Sequence, residues 1–169
     1  MLVSLIACEQ NPTLQKYFVE NTESSDFISV DVSPSILNIK PDALTGEQQE
    51  ALKTFKKMNV LAFKANEQNK VKFDTERTKV TEILKDEKYQ QLMKFGSGKE
   101  GAAVYFVGKD DAIEEFVLYG NKNENGFAVV RILGDKMNPE DFMTLFSALQ
   151  KSDIGMEQLK PLEDLFKNN

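Results

Sequence analysis

The feature that most constrains the fold is a series of three short apolar runs in the C-terminal half, at residues 102–108, 112–120 and 126–134. The segments that separate them, GKDD and NKNEN, have the composition of turns. Runs of this length that are rich in β-branched and aromatic residues are typical of strands, and short polar turns favour antiparallel neighbours. The sequence therefore predicts a meander of antiparallel strands.

The N-terminal half adds two further strand patterns. Residues 26–32 (DFISVDV) alternate, and this places Ile28, Val30 and Val32 on one face. Residues 59–65 (NVLAFKA) form a second apolar run of strand length. With the meander, these runs predict a single antiparallel sheet of about five strands.

Amphipathic helices are predicted between and after these strands. Thr45 and Gln48 have the spacing of a capping box, so a helix is expected to begin there, with Phe55 and Met58 on its inner face. Further helices are predicted from Asn11-Pro12, through about Lys85 and from Asn138-Pro139, followed by a last amphipathic segment that Pro161 interrupts. The fold class expected is α+β, with the sheet packed by helices on one face.

The composition excludes several classes of function. The chain contains no histidine, so it lacks the usual general base and the commonest transition-metal ligand. Its single cysteine forms neither an internal disulfide nor a zinc cluster. A formal net charge of -6 argues against nucleic-acid partners, whose binding depends on Lys and Arg. We therefore expect a non-enzymatic protein with no catalytic residues, no cofactor and no metal.

The one cysteine, Cys8, lies in a context typical of lipid attachment. Leu5, Ile6 and Ala7 precede it, and the segment LIAC resembles the lipobox of bacterial lipoproteins, in which the thiol is acylated and the leader is cut before the cysteine. Burial of acyl chains contributes about 0.8 kcal/mol per CH₂, so two or three chains anchor a protein firmly. The polar residues that follow suit a tether.

Residues 1–10 are accordingly interpreted as a residual lipoprotein leader, lipobox and tether, and residues 11–169 as a single globular domain. The apolar run Leu2–Ala7 is shorter than the roughly 7–15 residues of a secretory signal peptide, so we expect part of the leader upstream. The alternative is that this run is a terminal strand and Cys8 is a buried residue of a cytosolic domain.

Three segments resemble chemical sites, but each departs from what the chemistry of such a site requires. Residues 96–101 (GSGKEG) fit a dinucleotide-binding pattern, but strand-like residues follow where a helix is needed. Residues 121–126 (NKNENG) resemble the start of a calcium loop, yet Ile132 occupies the position that requires a bidentate Glu, so a turn is predicted. Glu114 and Glu115 are adjacent and face opposite sides of a strand, so they cannot act as a pair.

From residue 89 onward the chain resembles a family of small bacterial proteins, domain-of-unknown-function family 4252. The resemblance rests on YQQLMKFGSGKEGAAVYFVG, on IEEFVLYG and on GFAVVRILGDKMNPEDFMTLFSAL, and more loosely on FISVDVSPSIL and NVLAF upstream. Members of that family occur mostly in Bacteroidota and often carry a lipoprotein leader. The resemblance implies a short Leu-Met strand before the meander and an α+β envelope lipoprotein without an assigned activity. It supplies no catalytic residues.

The leading functional hypothesis is a lipid-anchored protein of the cell envelope, facing the periplasm or the cell surface, with a binding or accessory role. Its expected partners are a membrane, through the N-terminal lipid, and an envelope protein. A second hypothesis is a small-molecule or peptide carrier with an apolar pocket between sheet and helices. A third is an enzyme that uses carboxylates, and it requires two acids that converge in a cleft.

Overall fold

The structure is a computed structural model, and it describes residues 11–37, 40–97, 100–123 and 125–150. The predictions for residues 1–10 and for the last amphipathic segment fall outside these ranges. The elements in chain order are α1 (Leu14–Asn21), β1 (Phe27–Val32), α2 (Gly46–Thr54), β2 (Phe55–Lys64), α3 (Lys70–Ile83), β3 (Gln90–Gly96), β4 (Glu100–Lys109), β5 (Ala112–Lys122), β6 (Gly126–Met137) and α4 (Pro139–Gln150).

The strands form one sheet in the order β1-β2-β6-β5-β4-β3, and all neighbouring pairs are antiparallel. Strands β3 to β6 are the meander, and β2 joins it by pairing with β6. The predicted α+β class and single antiparallel sheet are confirmed. The sheet has six strands rather than about five, because β3 is a strand in its own right, as the family resemblance implied.

Helices cover both faces of the sheet, which corrects the expectation of helices on one face. Val60, Leu61, Ala62 and Phe63 are all buried, and successive residues of a strand point to opposite faces. Each face therefore has its own apolar core. One core includes Phe73 of α3 together with residues of α1, and the other includes residues of α2 and α4.

The boundary between α2 and β2 differs from the predicted one. Phe55 and Met58 lie in β2 rather than on the inner face of the preceding helix, so that prediction was wrong. Their spacing fits a helix, but a bulge between Phe55 and Lys57 places both side chains in the same core as an extended strand.

Local hydrogen bonds explain where the helices begin. The predicted capping box is present at α2, where the Thr45 side chain accepts from Gln48 N and the Gln48 side chain accepts from Thr45 N. The helix predicted from Asn11-Pro12 begins at Leu14 with Thr13 as its cap, and Asn138 caps α4 by accepting from the backbone of residues 140 and 141. None of the described helices is long and apolar enough to cross a bilayer.

A cluster of aromatic rings fills the core beneath α1 and α3. Phe63 and Phe127 stack at a centroid distance of 5.7 Å, and Phe27 meets Phe63 edge-on at 5.1 Å. Phe73 of α3 lies 6.1 Å from Phe127. These rings connect β1, β2, β6 and α3, so this core depends on strands that are distant in sequence.

The turn before β6 explains the sequence NKNENG. Asn125 N donates to Lys122 O at 2.8 Å, and Asn123 and Gly126 have φ angles of 44° and 152°. A Cβ on residue 126 would overlap the carbonyl oxygen of Phe63, so only glycine fits there. The interpretation of this segment as a turn is confirmed.

We predict that Phe127→Ala lowers the free energy of unfolding by about 3–5 kcal/mol, because it removes a fully buried ring from the aromatic cluster. Phe95→Ala is the matched control, since that ring is 59% exposed, and its effect is expected to stay within about 0.5 kcal/mol. Urea denaturation followed by circular dichroism measures both. Equal losses in the two variants would contradict the described core.

Candidate functional site

The predicted lipidation residues, Leu5, Ile6, Ala7 and Cys8, lie outside the described residues. Their assignment therefore stays a prediction. The first described helix, α1, begins at Leu14, shortly after the predicted tether.

The acids that the sequence singled out in β5 have different environments. Glu115 is partly buried and forms a two-pronged ion pair with the buried Arg131 of β6, at 2.6 Å from Nε to Oε1 and 3.2 Å from Nη2 to Oε2. The Arg131 guanidinium also lies over the Phe18 ring, 5.4 Å from its centroid. Glu114 points to the other side and is exposed, so the two carboxylates do not converge, as predicted.

A buried carboxylate links α1 to α3. The Tyr17 hydroxyl donates to Glu76 Oε2 at 2.8 Å, and Lys79 Nζ lies 2.7 Å from Glu76 Oε1. Burial, and then the neighbouring Glu76 carboxylate, raise the pKa of Tyr17 well above its ordinary value. The phenol therefore stays protonated and acts as the donor, and the arrangement joins the two helices.

The residues that the structure describes contain no group of three or more acidic or cysteine side chains placed to hold a metal ion. Strand β4 begins at Glu100, at the end of the glycine-rich segment, in agreement with the prediction that this segment does not open a helix.

The most distinctive surface feature is an apolar groove of about 400 Å³ on the α4 side of the sheet. Its floor is a row of small residues in register across neighbouring strands: Ala102 of β4, Gly120 of β5 and Ala128 of β6. Because these residues have little or no side chain, they form a depression between the larger side chains on either side. A Cβ built on Gly120 meets no atom within 4 Å, which shows that the space above it is open.

Large apolar side chains border this groove. Phe95 of β3 and Met143 of α4 are 59% and 56% exposed, although both are apolar. Met93 and Phe142 complete these two sides, and Phe142 is fixed by its contact with Phe116 at 5.4 Å. Methionine side chains adapt to varied apolar surfaces, so this border suits a ligand without a rigid shape.

The groove lies beside an edge of the sheet. Strand β3 is the last in the strand order, and no described strand pairs with its outer edge. An exposed edge presents backbone N–H and C=O groups that an added strand can pair with. The groove and this edge together offer apolar contacts and backbone hydrogen bonds to one extended segment.

Comparison with known proteins identifies the family. The model of a domain of unknown function, DUF4252, matches residues 17–145. The chain belongs to the DUF4252 family. The match confirms the resemblance found in the sequence, and it extends from α1 into α4, so the sheet and the groove lie within the DUF4252 region. No curated protein and no solved structure matches the chain.

Sequence reasoning missed the groove and the ion pair between Glu115 and Arg131. A charged residue in the middle of the run GFAVVRILG was the available signal for Arg131. The groove gave no such signal, because its small residues come from separate strands and align only through the register.

We predict that Glu115→Leu lowers the free energy of unfolding by about 3–5 kcal/mol, because Arg131 is left buried without its partner. Adding Arg131→Met to the same chain should recover most of that loss, since apolar side chains replace buried ion pairs well.

Glu114→Leu is the matched control, because the same substitution at the exposed neighbour should change the free energy by no more than about 0.5 kcal/mol. Chemical denaturation of the three variants and of the unmodified protein measures these values. If Glu115→Leu lowered the free energy of unfolding as little as Glu114→Leu, the ion pair would contribute nothing to stability.

Proposed function

We propose that this protein is a non-enzymatic binding protein of the cell envelope, anchored by a lipid on Cys8, that holds an extended apolar segment of a partner protein. The observation that carries the binding role is the apolar groove beside the edge of β3. The lipobox-like segment LIAC supports the anchor. The absence of histidine from the sequence supports a role without catalysis.

The position of the anchor relative to the domain supports this arrangement. Pro12 is only four positions after Cys8, and that length spans at most about 14 Å when extended. Pro12 lines a cleft between α1 and α3, on the face of the sheet opposite the groove. With Cys8 in a membrane, the α1 side would lie close to the lipid and the groove would face away from it, toward partners.

The chemistry of the groove favours a peptide segment as its occupant. A segment that lies across the border at Phe95 can place apolar side chains over the floor made by Ala102, Gly120 and Ala128. Its backbone can pair with the outer edge of β3 where it passes that edge. The row of small residues leaves room for those side chains. This surface is an open groove rather than a closed cavity, which distinguishes it from a carrier that encloses its ligand.

A small apolar molecule is the second candidate occupant. The volume of about 400 Å³ falls within the roughly 300–1,000 Å³ that is usual for small-molecule sites. Such a ligand would use the same floor and border, without the edge of β3.

For the anchor, we predict that the protein recovered from its native membranes has a mass that starts at Cys8 and includes acyl chains. Cys8→Ala should remove the acyl mass and release the protein from the membrane fraction. Intact-mass spectrometry of both forms checks this. An unmodified chain that retains Met1 would contradict the anchor and favour a cytosolic domain.

For the groove, we predict that a photo-crosslinking amino acid at position 95 captures a partner segment in intact cells, because Phe95 borders the groove. The same amino acid at position 71 is the control, since Val71 is 83% exposed but does not line the groove. Mass spectrometry of the crosslinked peptides should give an extended apolar sequence from another protein.

Filling the groove should abolish this crosslink. Gly120→Leu places a side chain in open space above the floor, whereas Gly46→Leu adds the same atoms at another open position, in α2. Only the first variant should lose the crosslink and weaken binding of the identified peptide. A crosslink to a small molecule, to a second copy or to residues 151–169 would contradict a partner segment and identify that occupant instead.

A further inference from the structure

A separate cleft of about 430 Å³ lies on the opposite face of the sheet from the apolar groove. One wall is α3 with the turn that follows it, which contribute Arg77 and Lys85 respectively. The other wall is the end of the meander, where Tyr105 and Tyr119 form the floor and Lys94 of β3 lies at the edge. The cleft therefore brings polar groups from four elements to one place.

The charge of this cleft is opposite to that of the whole protein. Arg77, Lys85 and Lys94 line it, and no carboxylate is among its described lining residues, although the chain has a net charge of -6. A concentration of positive charge in a concave site attracts anions, because the low-dielectric walls focus the field.

The existing ion pairs leave these cations available. Arg77 pairs with Asp74 at 2.9 Å and Lys85 with Glu82 at 2.5 Å, but both acids are more than half exposed and outside the cleft. Exposed pairs of this kind contribute little stability, so a ligand can compete with them. Lys94 forms no ion pair with any residue in the described ranges.

The two tyrosines supply hydrogen-bond donors. Tyr105 and Tyr119 are half-buried on neighbouring strands, and neither hydroxyl has a hydrogen-bond partner within the described part of the chain. Burial raises the pKa of both phenols, and that of Tyr119 to about 12, while the positive charge of Arg77 opposes the shift at Tyr119. At neutral pH both hydroxyls are protonated and able to donate.

We propose that this cleft is a second binding site, for a small organic anion that carries hydroxyl groups, such as a sugar phosphate or a sugar acid. Arg77 and Lys94 hold the phosphate or carboxylate oxygens by charge-assisted hydrogen bonds. The hydroxyls of Tyr105 and Tyr119 bond to the ligand's hydroxyl groups, and the volume accommodates a molecule of one sugar ring. The proposal does not rest on the apolar groove or on its partner, although the two sites lie on opposite faces of the same strands and share lining residues such as Ala103 and Tyr119.

The test is a titration of the isotope-labelled full chain, followed by amide nuclear magnetic resonance at low ionic strength. The probes are glucose 6-phosphate and glucuronate, with glucose and inorganic phosphate as partial analogues. Saturable shifts are expected at amides of α3, Lys94, Tyr105 and Tyr119 with at least one of the two acids. Glucose and inorganic phosphate should each bind more weakly than that acid.

Variants separate binding at the cleft from general attraction to cations. Arg77 is a poor choice, because its guanidinium lies 5.0 Å from the Phe73 ring and supports the core. Lys94→Gln, and Tyr105→Phe combined with Tyr119→Phe, should each weaken the affinity at least about tenfold. Lys109→Gln is the matched control, since it removes one exposed strand lysine away from the cleft and should leave the affinity unchanged.

Three outcomes would overturn the proposal: no saturable shift with either acid, equal affinity for inorganic phosphate, or equal losses from Lys94→Gln and Lys109→Gln. Vesicles that contain phosphatidylglycerol identify the source of the oxyanion. Competition by these vesicles assigns it to a lipid headgroup, and absence of competition assigns it to a soluble molecule. In both cases Lys94→Gln must weaken the binding.

Discussion

The pairing of β2 with β6 is the interaction on which the rest of the structure depends. It places two strands that are apolar on both faces in the interior of the sheet, with Val60 opposite Val130 and Leu61 opposite Val129. A strand of this kind must be covered on both sides, because each exposed face would leave a large apolar area in water. The positions of all four described helices follow from that requirement.

The two faces of the sheet differ in the residues that lie beneath their helices. The face beneath α1 and α3 contains the aromatic cluster together with the buried carboxylate of Glu76, paired with Lys79, and the partly buried carboxylate of Glu115, paired with Arg131. The opposite face is almost wholly apolar, and α4 leaves part of it uncovered above Gly120. The proposed partner site and the proposed anion site thus lie on opposite sides of the same part of the sheet.

Much of the fold could be predicted from the sequence, because local patterns of residues specify its strands, turns and helix starts. The meander followed from apolar runs and turn residues, and the capping box at Thr45 located the start of α2. Phe55 and Met58 were misassigned, because their spacing fits a helix and only the pairing with β6 reveals the bulge. The helix layer on the second face was missed, because an apolar run such as VLAF does not indicate which elements pack against it.

The candidate sites depend on relations that a single sequence does not contain. The row of Ala102, Gly120 and Ala128 becomes a groove only when three strands align. Likewise, Arg77 and Lys94 belong to one cleft only because α3 packs across the end of the meander. The prediction for Cys8, in contrast, rests on adjacent residues alone, so it could be made without knowledge of the fold.

The order of the strands also determines how the chain can fold. Met58 pairs with Ile132, so the central contact joins segments that lie far apart in the sequence. Closing such a long loop is entropically costly, and proteins dominated by distant contacts fold slowly. Until β6 has been synthesised, the antiparallel pair of β1 and β2 exposes the apolar residues from Val60 to Phe63. Such an intermediate is prone to aggregation, so the nascent chain would benefit from a chaperone until its C-terminal half arrives.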